Sequence, residues 1–542
     1  MPNPADRCLL PILLIVSLCW RGEGEDGEAV ALRFGPEGLA AISYHGEQYL
    51  TPGSLGATWN DEVALRQADG AITAADVAHG TLQVDAALRT VERRYAWGAI
   101  RCVYTPSANR LALDLTISNA GALTIGSVQL QVLELGFPSA VAEYDGNTPM
   151  MATNIGAPSL IVTSHVHGAV ALVNEDLERG LSIGYPWAND RPANRTFPLW
   201  ADTGKRAKLP PSHPTIERPI PPGGNDHYHL SLRFGQAGAT AAELAPDILR
   251  RFAEAHPATL SWPDRRPIGM LMLSSSVPHH ALNPRGWFLN DPEIDTTTDA
   301  GRARFADRLM AYADKSVSVL KRMGAQGVII WDCEGQEFPH ATSYIGDPRR
   351  MPPEIAPLAD AFFRKFSDAG LRTGVCIRPQ LPVVPVYGQQ AEQREVPIAD
   401  QFAVLSDKLA YVSKRWGCTL FYVDSDVDRA HVAEGPIDAE VFRRLAAAYP
   451  AILLIPEQKT ASYWASTAPY CELRGGWAST PLLPRLAYPH AFSVIAVNDG
   501  PLEGRHAELV AAVARGDVLM FRAWWDDPEQ PAVSAIYREA GR

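Results

Sequence analysis

Between residues 28 and 238 the apolar and polar positions tend to alternate along short runs. Side chains that alternate every second residue are typical of strands with one buried face. Clusters of Gly, Asn, Asp and Pro separate the runs, and few stretches carry a helical period. The alternating runs are Ala31–Phe34, Leu39–Tyr44, Thr81–Asp85, Ile100–Tyr104, Leu111–Ile117, Val128–Leu133 and His227–Phe234. We predict a large antiparallel β-sandwich over this region.

The pattern changes after a helical linker at residues 239–264. From residue 265 to 542, β-rich apolar runs alternate with helical segments, which is typical of parallel α/β folds. The predicted strands are Ile268–Leu273, Gly327–Trp331, Arg372–Ile377, Thr419–Val423, Ala451–Ile455, Ala468–Leu473, Phe492–Val497 and Asp517–Phe521. The predicted helices include Arg302–Met323, Glu354–Ala369, Ile398–Trp416, Asp438–Ala448 and Glu503–Arg515. Eight strands of this kind predict a complete (β/α)8 barrel, with a reduced helix or a loop before the sixth strand.

The first 27 residues predict an export leader. An apolar run from Cys8 to Trp20 is too short to span a bilayer comfortably and fits the apolar region of a signal peptide. Val16–Cys19 loosely resembles a bacterial lipoprotein box, so a lipid anchor at Cys19 is a minority alternative to a cleaved signal peptide. Another alternative is that the start codon is assigned upstream of the true domain. No later segment predicts a transmembrane helix. We expect an exported protein: periplasmic, extracellular or attached to the surface.

Composition narrows the functional classes. The chain has 542 residues and a net charge of −12 without a Lys/Arg-rich stripe, which argues against nucleic-acid binding. Of its 7 cysteines, Cys8 and Cys19 lie in the leader, and the scattered remainder predicts no disulfide framework. No Cys/His spacing suggests a metal, and no P-loop, dinucleotide motif or serine nucleophile elbow occurs in the right context. The sequence therefore predicts no cofactor.

Two carboxylates follow consecutive predicted strands. Asp424 ends the run Cys418–Asp424, and Glu457 ends the run Ala451–Glu457. In a (β/α)8 barrel, residues at the carboxyl ends of the strands form the active-site face. Carboxylates from adjacent strands can come about 5 Å apart, the separation that retaining glycosidases use. The pair therefore predicts a sugar-cleaving enzyme. Alternatively, both residues could have structural roles, Asp424 as the cap of the next helix and Glu457 in a salt bridge.

Other strand ends carry further carboxylates, arginines and tryptophans. Carboxylates can bind hydroxyl groups, arginines can fix the ionisation of acids, and tryptophans can stack on the apolar face of a pyranose. The candidate substrate-binding residues are Trp331, Asp332, Glu334, Arg378, Asp426, Glu472, Arg474, Trp477, Asp499 and Trp524. One of Trp524 and Trp525 is expected to face the solvent as a stacking surface and the other to belong to the core. The arginines could equally form salt bridges at the barrel mouth.

The predicted barrel resembles the α-amylase layout, in which an Asp follows strand four, a Glu follows strand five and an Asp, here Asp499, follows strand seven. The preceding β-sandwich joined by a helix looks more like the endo-α-N-acetylgalactosaminidases and their α-glycosidase relatives. That resemblance implies Asp424 as the nucleophile and Glu457 as the proton donor. The chain departs from the α-amylases at Tyr422, where they carry an Arg, and at Arg378, which lies near the place of their strand-three His motif. The likeness is at the level of a clan and transfers no substrate.

Alternatives to this assignment stay open. Asp424–Asp428 is superficially similar to the chitinase strand-four motif but ends in Asp instead of Glu. α-Galactosidases pair a strand-four Asp with a strand-six acid, and in that layout Glu472 would be the acid/base. A non-catalytic carbohydrate-binding barrel would need the tryptophans but not both carboxylates.

We interpret the chain as an exported retaining glycoside hydrolase that acts on an oligosaccharide or glycoconjugate, with an α-linkage implied by the resemblance. Asp424 would attack the anomeric carbon, and Glu457 would act as acid and then as base. The sugar, endo or exo action and the oligomeric state are left open by the sequence.

Overall fold

A computed structural model describes residues 30–50, 62–136, 151–153, 156–165, 168–184, 196–204, 216–275, 280–287, 294–335, 345–383, 392–428, 435–497, 502, 504–524 and 527–542. The predicted leader, with Cys19, lies outside these residues. Within them, no helix has the length and apolar character needed to cross a membrane.

The amino-terminal part is built from antiparallel sheets, because its strands bury every second side chain. Along Arg110–Asn119 the apolar positions are buried and the intervening ones are partly exposed. A seven-stranded sheet has the order Leu160–His165, Gly168–Asn174, Asn225–Gly235, Arg110–Asn119, Gly98–Pro106, Thr90–Tyr95, Thr81–Asp85. A six-stranded sheet has the order Met151–Thr153, Ser182–Gly184, Thr196–Thr203, Thr124–Gly136, Glu62–Arg66, Ile72–Ala74. A three-stranded sheet contains Ala31–Gly35, Gly38–Tyr44 and Glu47–Gln48. Apolar side chains from all three sheets share one core, which confirms the predicted sandwich.

Two short helices, Ala241–Leu244 and Pro246–Ala255, follow the sandwich. Proline is tolerated at the first helical position because its missing N–H would have no partner there. Both helices bury apolar side chains in a cluster that also contains sandwich and barrel residues: Leu160, Ala169, Ala171, Val173 and Leu483. The linker therefore packs the sandwich against the barrel.

The carboxyl-terminal part forms eight parallel strands, which confirms the predicted barrel. We number them β1 Ile268–Met272, β2 Gly327–Trp331, β3 Arg372–Ile377, β4 Leu420–Val423, β5 Leu453–Pro456, β6 Tyr470–Glu472, β7 Val494–Ala496 and β8 Val518–Arg522. Their spatial order is β5-β4-β3-β2-β1-β8-β7-β6, so β5 and β6 are the edges that meet. A hydrogen bond of 3.0 Å from Ala468 N to Leu454 O joins these edges. The strands are almost continuously buried, as expected where one face fills a barrel and the other packs on helices.

The helices of the barrel domain pack on these strands, except Leu482–Ala487, which packs on the linker helices. They are Asp299–Arg322, Ala359–Asp368, Ile398–Trp416, Ala439–Ala448, Leu482–Ala487, His506–Ala514 and Glu529–Glu539. Between β5 and β6 the chain forms only a short 3-10 helix, Ala461–Ala465, as their spacing predicted. Two short antiparallel pairs follow β3 and β4: Leu381–Val383 with Glu392–Arg394, and Val427–Asp428 with Gly435–Pro436.

Candidate active site

Three charged residues lie side by side after β3, β4 and β5. The parallel register pairs the last residues of these strands with one another, and the next residue on each is Arg378, Asp424 or Glu457. Backbone hydrogen bonds continue the ladder, from Asp424 N to Ile377 O at 2.9 Å and from Glu457 N to Val423 O at 3.0 Å. Residues in register point to the same face of a sheet. The three side chains therefore meet at the carboxyl end of the barrel.

Asp424 is buried and held by two side chains. Its Oδ2 accepts hydrogen bonds from Nε and Nη2 of Arg378 at 3.1 and 2.8 Å, and its Oδ1 accepts one from Ser425 Oγ at 3.0 Å. The next helix is capped by Asp438, whose carboxylate accepts from Glu440 N at 2.9 Å. Asp424 is thus not a helix cap. Its carboxylate instead forms a charge-assisted pair with the guanidinium of Arg378.

Glu457 lies in an environment that favours a bound proton. Its Oε2 accepts a hydrogen bond from Ser425 N at 2.8 Å, and its side chain is partly buried. Burial raises the pKa of Glu457 and the neighbouring Asp424 carboxylate raises it further, whereas the hydrogen bond from Ser425 N and the charge of Arg378 oppose the rise. Two carboxyl groups whose surroundings differ in this way can divide acid and nucleophile roles between them.

Ser425 connects the two acids and was not identified from the sequence. Its backbone φ is 52°, a left-handed conformation that is costly for a residue other than glycine. In this conformation its N–H donates to Glu457 while its hydroxyl donates to Asp424. No periodicity or spacing signals such a residue, because its contribution depends on a single backbone torsion.

The candidate carboxyl groups of Asp332, Glu334 and Asp426 are buried near this row, with 3%, 2% and 0% exposed. Burial raises the pKa of Glu334 to about 7 and that of Asp426 to about 8; it also raises the pKa of Asp332, to which the charge of Glu334 adds. A protonated carboxyl can donate a hydrogen bond, so Asp426 offers a donor at neutral pH. Their contacts with substrate hydroxyls stay a prediction. Asp499, the expected strand-seven carboxylate, lies outside the described residues.

A buried lysine that was not identified from the sequence pattern holds the loops around Arg378. Lys408, on the helix Ile398–Trp416, is fully buried. Its Nζ donates hydrogen bonds to the backbone oxygens of Gly346 (2.9 Å), Arg378 (2.7 Å) and Gln380 (2.9 Å). Burial lowers the pKa of Lys408 to about 8, so at neutral pH the ammonium keeps one hydrogen for each acceptor. Lys408 therefore fixes the backbone from which the Arg378 side chain extends.

Lys408→Met should lower the free energy of unfolding by about 3 kcal/mol or more, since each buried carbonyl that loses its donor costs about 1 kcal/mol or more. Urea unfolding followed by circular dichroism measures this change. Lys414→Met is the matched control, because Lys414 is exposed near the end of the same helix; its expected change is within about 0.5 kcal/mol. Equal stability of the two variants would contradict the role of Lys408.

The loop after β6 lies at the rim of the barrel. Arg474 Nη2 is 3.4 Å from Glu472 Oε2, and these side chains are 67% and 31% exposed. Trp477 is 38% exposed and presents a ring at the surface. Glu472 thus pairs with Arg474 at the rim, whereas Glu457 is the acid that adjoins Asp424.

Trp331 and Trp524 are buried, each with 5% exposed, whereas stacking surfaces at the mouth were predicted for these residues. Trp331 packs on Tyr422 with ring centroids 5.0 Å apart, and Tyr422 packs on Tyr470 at 5.1 Å. Side chains from alternate strands fill the interior of such barrels in layers. Trp331 and Tyr422 therefore belong to the packed interior. Trp525 lies outside the described residues.

The structure thus combines a β-sandwich with a parallel eight-stranded barrel that presents acids after β4 and β5. No protein-family model and no curated protein sequence matches the chain. Among solved structures, the α-N-acetylgalactosaminidase NagBb from Bifidobacterium bifidum, in complex with GalNAc, aligns with a TM-score of 0.52 and 11% identity over 95% of this chain and 92% of that chain. The GH36 α-galactosidase AgaB from Geobacillus stearothermophilus aligns with a TM-score of 0.41 and 10% identity over 95% of this chain and 84% of that chain. An α-galactosidase from Lactobacillus brevis gives a TM-score of 0.37 and 12% identity over 92% and 76%. The likeness to NagBb shows a shared fold.

Proposed function

We propose that this chain is a retaining α-glycoside hydrolase, with Asp424 as the nucleophile and Glu457 as the acid/base. The observation that carries the proposal is the placement of the two acids in register on adjacent strands in unlike surroundings. Asp424 is bound by a guanidinium, whereas the pKa of Glu457 is raised by burial and by Asp424. An ionised nucleophile beside a protonated acid is the starting state of this reaction.

The reaction has two displacements. Asp424 forms a bond to the anomeric carbon as the bond to the leaving oxygen breaks, and Glu457 gives its proton to that oxygen. Glu457 then takes a proton from water, and the water oxygen replaces Asp424 on the anomeric carbon. Ser425 donates to both acids and Arg378 to Asp424, so these residues are suited to hold the pair in place through both steps.

The likeness in fold to NagBb supports one substrate class. NagBb is an α-N-acetylgalactosaminidase in complex with GalNAc. We therefore propose an α-linked sugar of the galactose or N-acetylgalactosamine type, attached to an oligosaccharide or glycoconjugate. The apolar run in the leader supports export of the enzyme. An exported enzyme would meet such conjugates outside the cytoplasm.

A panel of 4-nitrophenyl glycosides in both anomeric forms tests the activity. Release of nitrophenol from an α-glycoside, with the β-glycosides as controls, is the expected result. Proton NMR spectra at early times should show the α-anomer of the free sugar before it mutarotates, because two displacements retain configuration. Cleavage of only β-glycosides, or a first product with inverted configuration, would overturn the proposal.

Arg378→Met should extend the activity to higher pH while lowering its maximum by about tenfold or more. Arg378 lowers the pKa of Glu457, so removal of the guanidinium raises that pKa and keeps Glu457 protonated at higher pH. The maximum falls because Asp424 loses the side chain that orients it. The measurement is kcat/KM against pH for the variant and the wild-type enzyme. An alkaline limb that does not move, or moves to lower pH, contradicts the assignment of Glu457 as the acid.

A further inference from the structure

The chain that follows Glu457 borders the place where a leaving group must lie. This inference rests on the proposed function, in which Glu457 donates its proton to the leaving-group oxygen. Lys459 lies only two residues further along, on the loop between β5 and the 3-10 helix Ala461–Ala465. Residues on this loop can therefore contact the part of the substrate that departs first.

Lys459 meets an exposed aromatic ring from the neighbouring loop. Its Nζ lies 5.4 Å from the centroid of the Trp477 ring, and Trp477 is 38% exposed. In the described part of the chain, this ammonium has no carboxylate partner. Lys365, by contrast, pairs with Asp314 at 2.5 Å.

A second cation, on the same loop as Trp477, is already matched by a carboxylate. Arg474 is 67% exposed and lies 3.4 Å from Glu472. The ammonium of Lys459 is therefore the charge that this part of the rim offers to a ligand. A flat ring with a cation above it can bind an apolar group that also carries a negative charge.

We propose that Lys459 and Trp477 form the leaving-group subsite and that this subsite selects aglycones bearing an anionic substituent, a carboxylate or a sulfate-like group. Trp477 supplies the surface on which the aglycone lies. Lys459 supplies the charge that meets the anion.

A pair of aryl glycosides tests this subsite without changing the chemistry of the bond that breaks. 3-(Carboxymethyl)phenyl and 3-(carbamoylmethyl)phenyl glycosides of the sugar that the enzyme accepts have leaving groups of similar acidity and differ in charge. The wild-type enzyme should prefer the anionic one by about 5- to 10-fold in kcat/KM at low salt, and added salt should reduce the preference. A 3-(sulfomethyl)phenyl glycoside shows whether the subsite favours a sulfonate over a carboxylate.

Lys459→Gln should bring the ratio of the two kcat/KM values to about one, and Lys459→Arg should keep most of the preference. Lys414→Gln removes the same charge at an exposed position on the helix Ile398–Trp416, and the ratio should then stay at its wild-type value. Trp477→Ala should raise KM for both glycosides more than it lowers kcat, because the ring binds and does not react.

The outcomes separate this inference from the proposed function. A wild-type ratio near one, or a preference that survives in Lys459→Gln, overturns the subsite and leaves the hydrolase proposal in place. If the wild-type enzyme cleaves neither glycoside nor any member of the nitrophenyl panel, the proposed function fails and the subsite fails with it.

Discussion

Asp424→Asn should reduce kcat on α-glycosides by about 10⁴-fold or more while the protein stays folded. An amide has nearly the shape of the carboxylate, so the contacts with Arg378 and Ser425 keep one oxygen acceptor. It lacks the charge with which a nucleophile attacks the anomeric carbon. Single-turnover measurements on an activated aryl glycoside would quantify the loss, and circular dichroism would verify the fold.

A matched control and a rescue experiment make this prediction specific. Asp438→Asn makes the same change at the cap of the helix Ala439–Ala448, where Asn is an equally good cap, so its kcat should be close to that of the wild type. Azide added to Asp424→Gly should restore turnover and give a glycosyl azide of inverted configuration, since a small anion can fill the place of the carboxylate. Activity of Asp424→Asn equal to that of Asp438→Asn would remove Asp424 from the mechanism.

The barrel could be predicted because its strands carry their signal locally. A strand buried on both faces must be apolar along its length, and a polar residue can return only where the strand ends. Leu420–Val423 and Leu453–Pro456 follow this rule, and Asp424 and Glu457 come directly after them. The sequence pattern therefore predicted both the strands and the positions that reach the carboxyl end of the barrel.

The surroundings of the acids could not be predicted, because they depend on contacts between distant segments. Lys408 approaches three backbone oxygens from a helix whose sequence pattern is that of any amphipathic segment. Trp331 is the last residue of a predicted strand and Trp477 lies in the loop after another, but the first ring is buried in the barrel and the second is at the rim. Whether a residue at or beyond the end of a strand points inward or outward depends on the loop that follows, and the loop has no periodicity.

The terminal helix Glu529–Glu539 shows a similar limit. Pro528 precedes it and Pro531 lies in its first turn, where proline costs no intrahelical hydrogen bond. In sequence such prolines look like a loop, and the helix was not predicted. Only its packing, with Val533 and Ile536 buried against the barrel, shows the helical face.

Glu457→Ala should lose about 10³-fold in kcat/KM on a glycoside with a poor leaving group, and much less on one with an activated leaving group. A phenolate of low basicity departs without a proton, so the acid contributes little to its release. A plot of log(kcat/KM) against the pKa of the leaving phenol should therefore be steep for Glu457→Ala and shallow for the wild-type enzyme. The series needs phenols that span the range from unsubstituted phenol to dinitrophenol.

The same series on Glu472→Ala decides between the two layouts that the sequence left open. Glu472 is partly exposed and lies 3.4 Å from Arg474, whereas Glu457 adjoins Asp424, receives a hydrogen bond from Ser425 and has a raised pKa. We therefore expect Glu472→Ala to keep the shallow dependence of the wild-type enzyme. If Glu472→Ala instead shows the steep dependence and Glu457→Ala does not, the acid belongs to β6 and the α-galactosidase layout is the correct one. A steep dependence in Glu457→Ala alone assigns the proton to β5, since protonation of the leaving oxygen is the step that such a dependence measures.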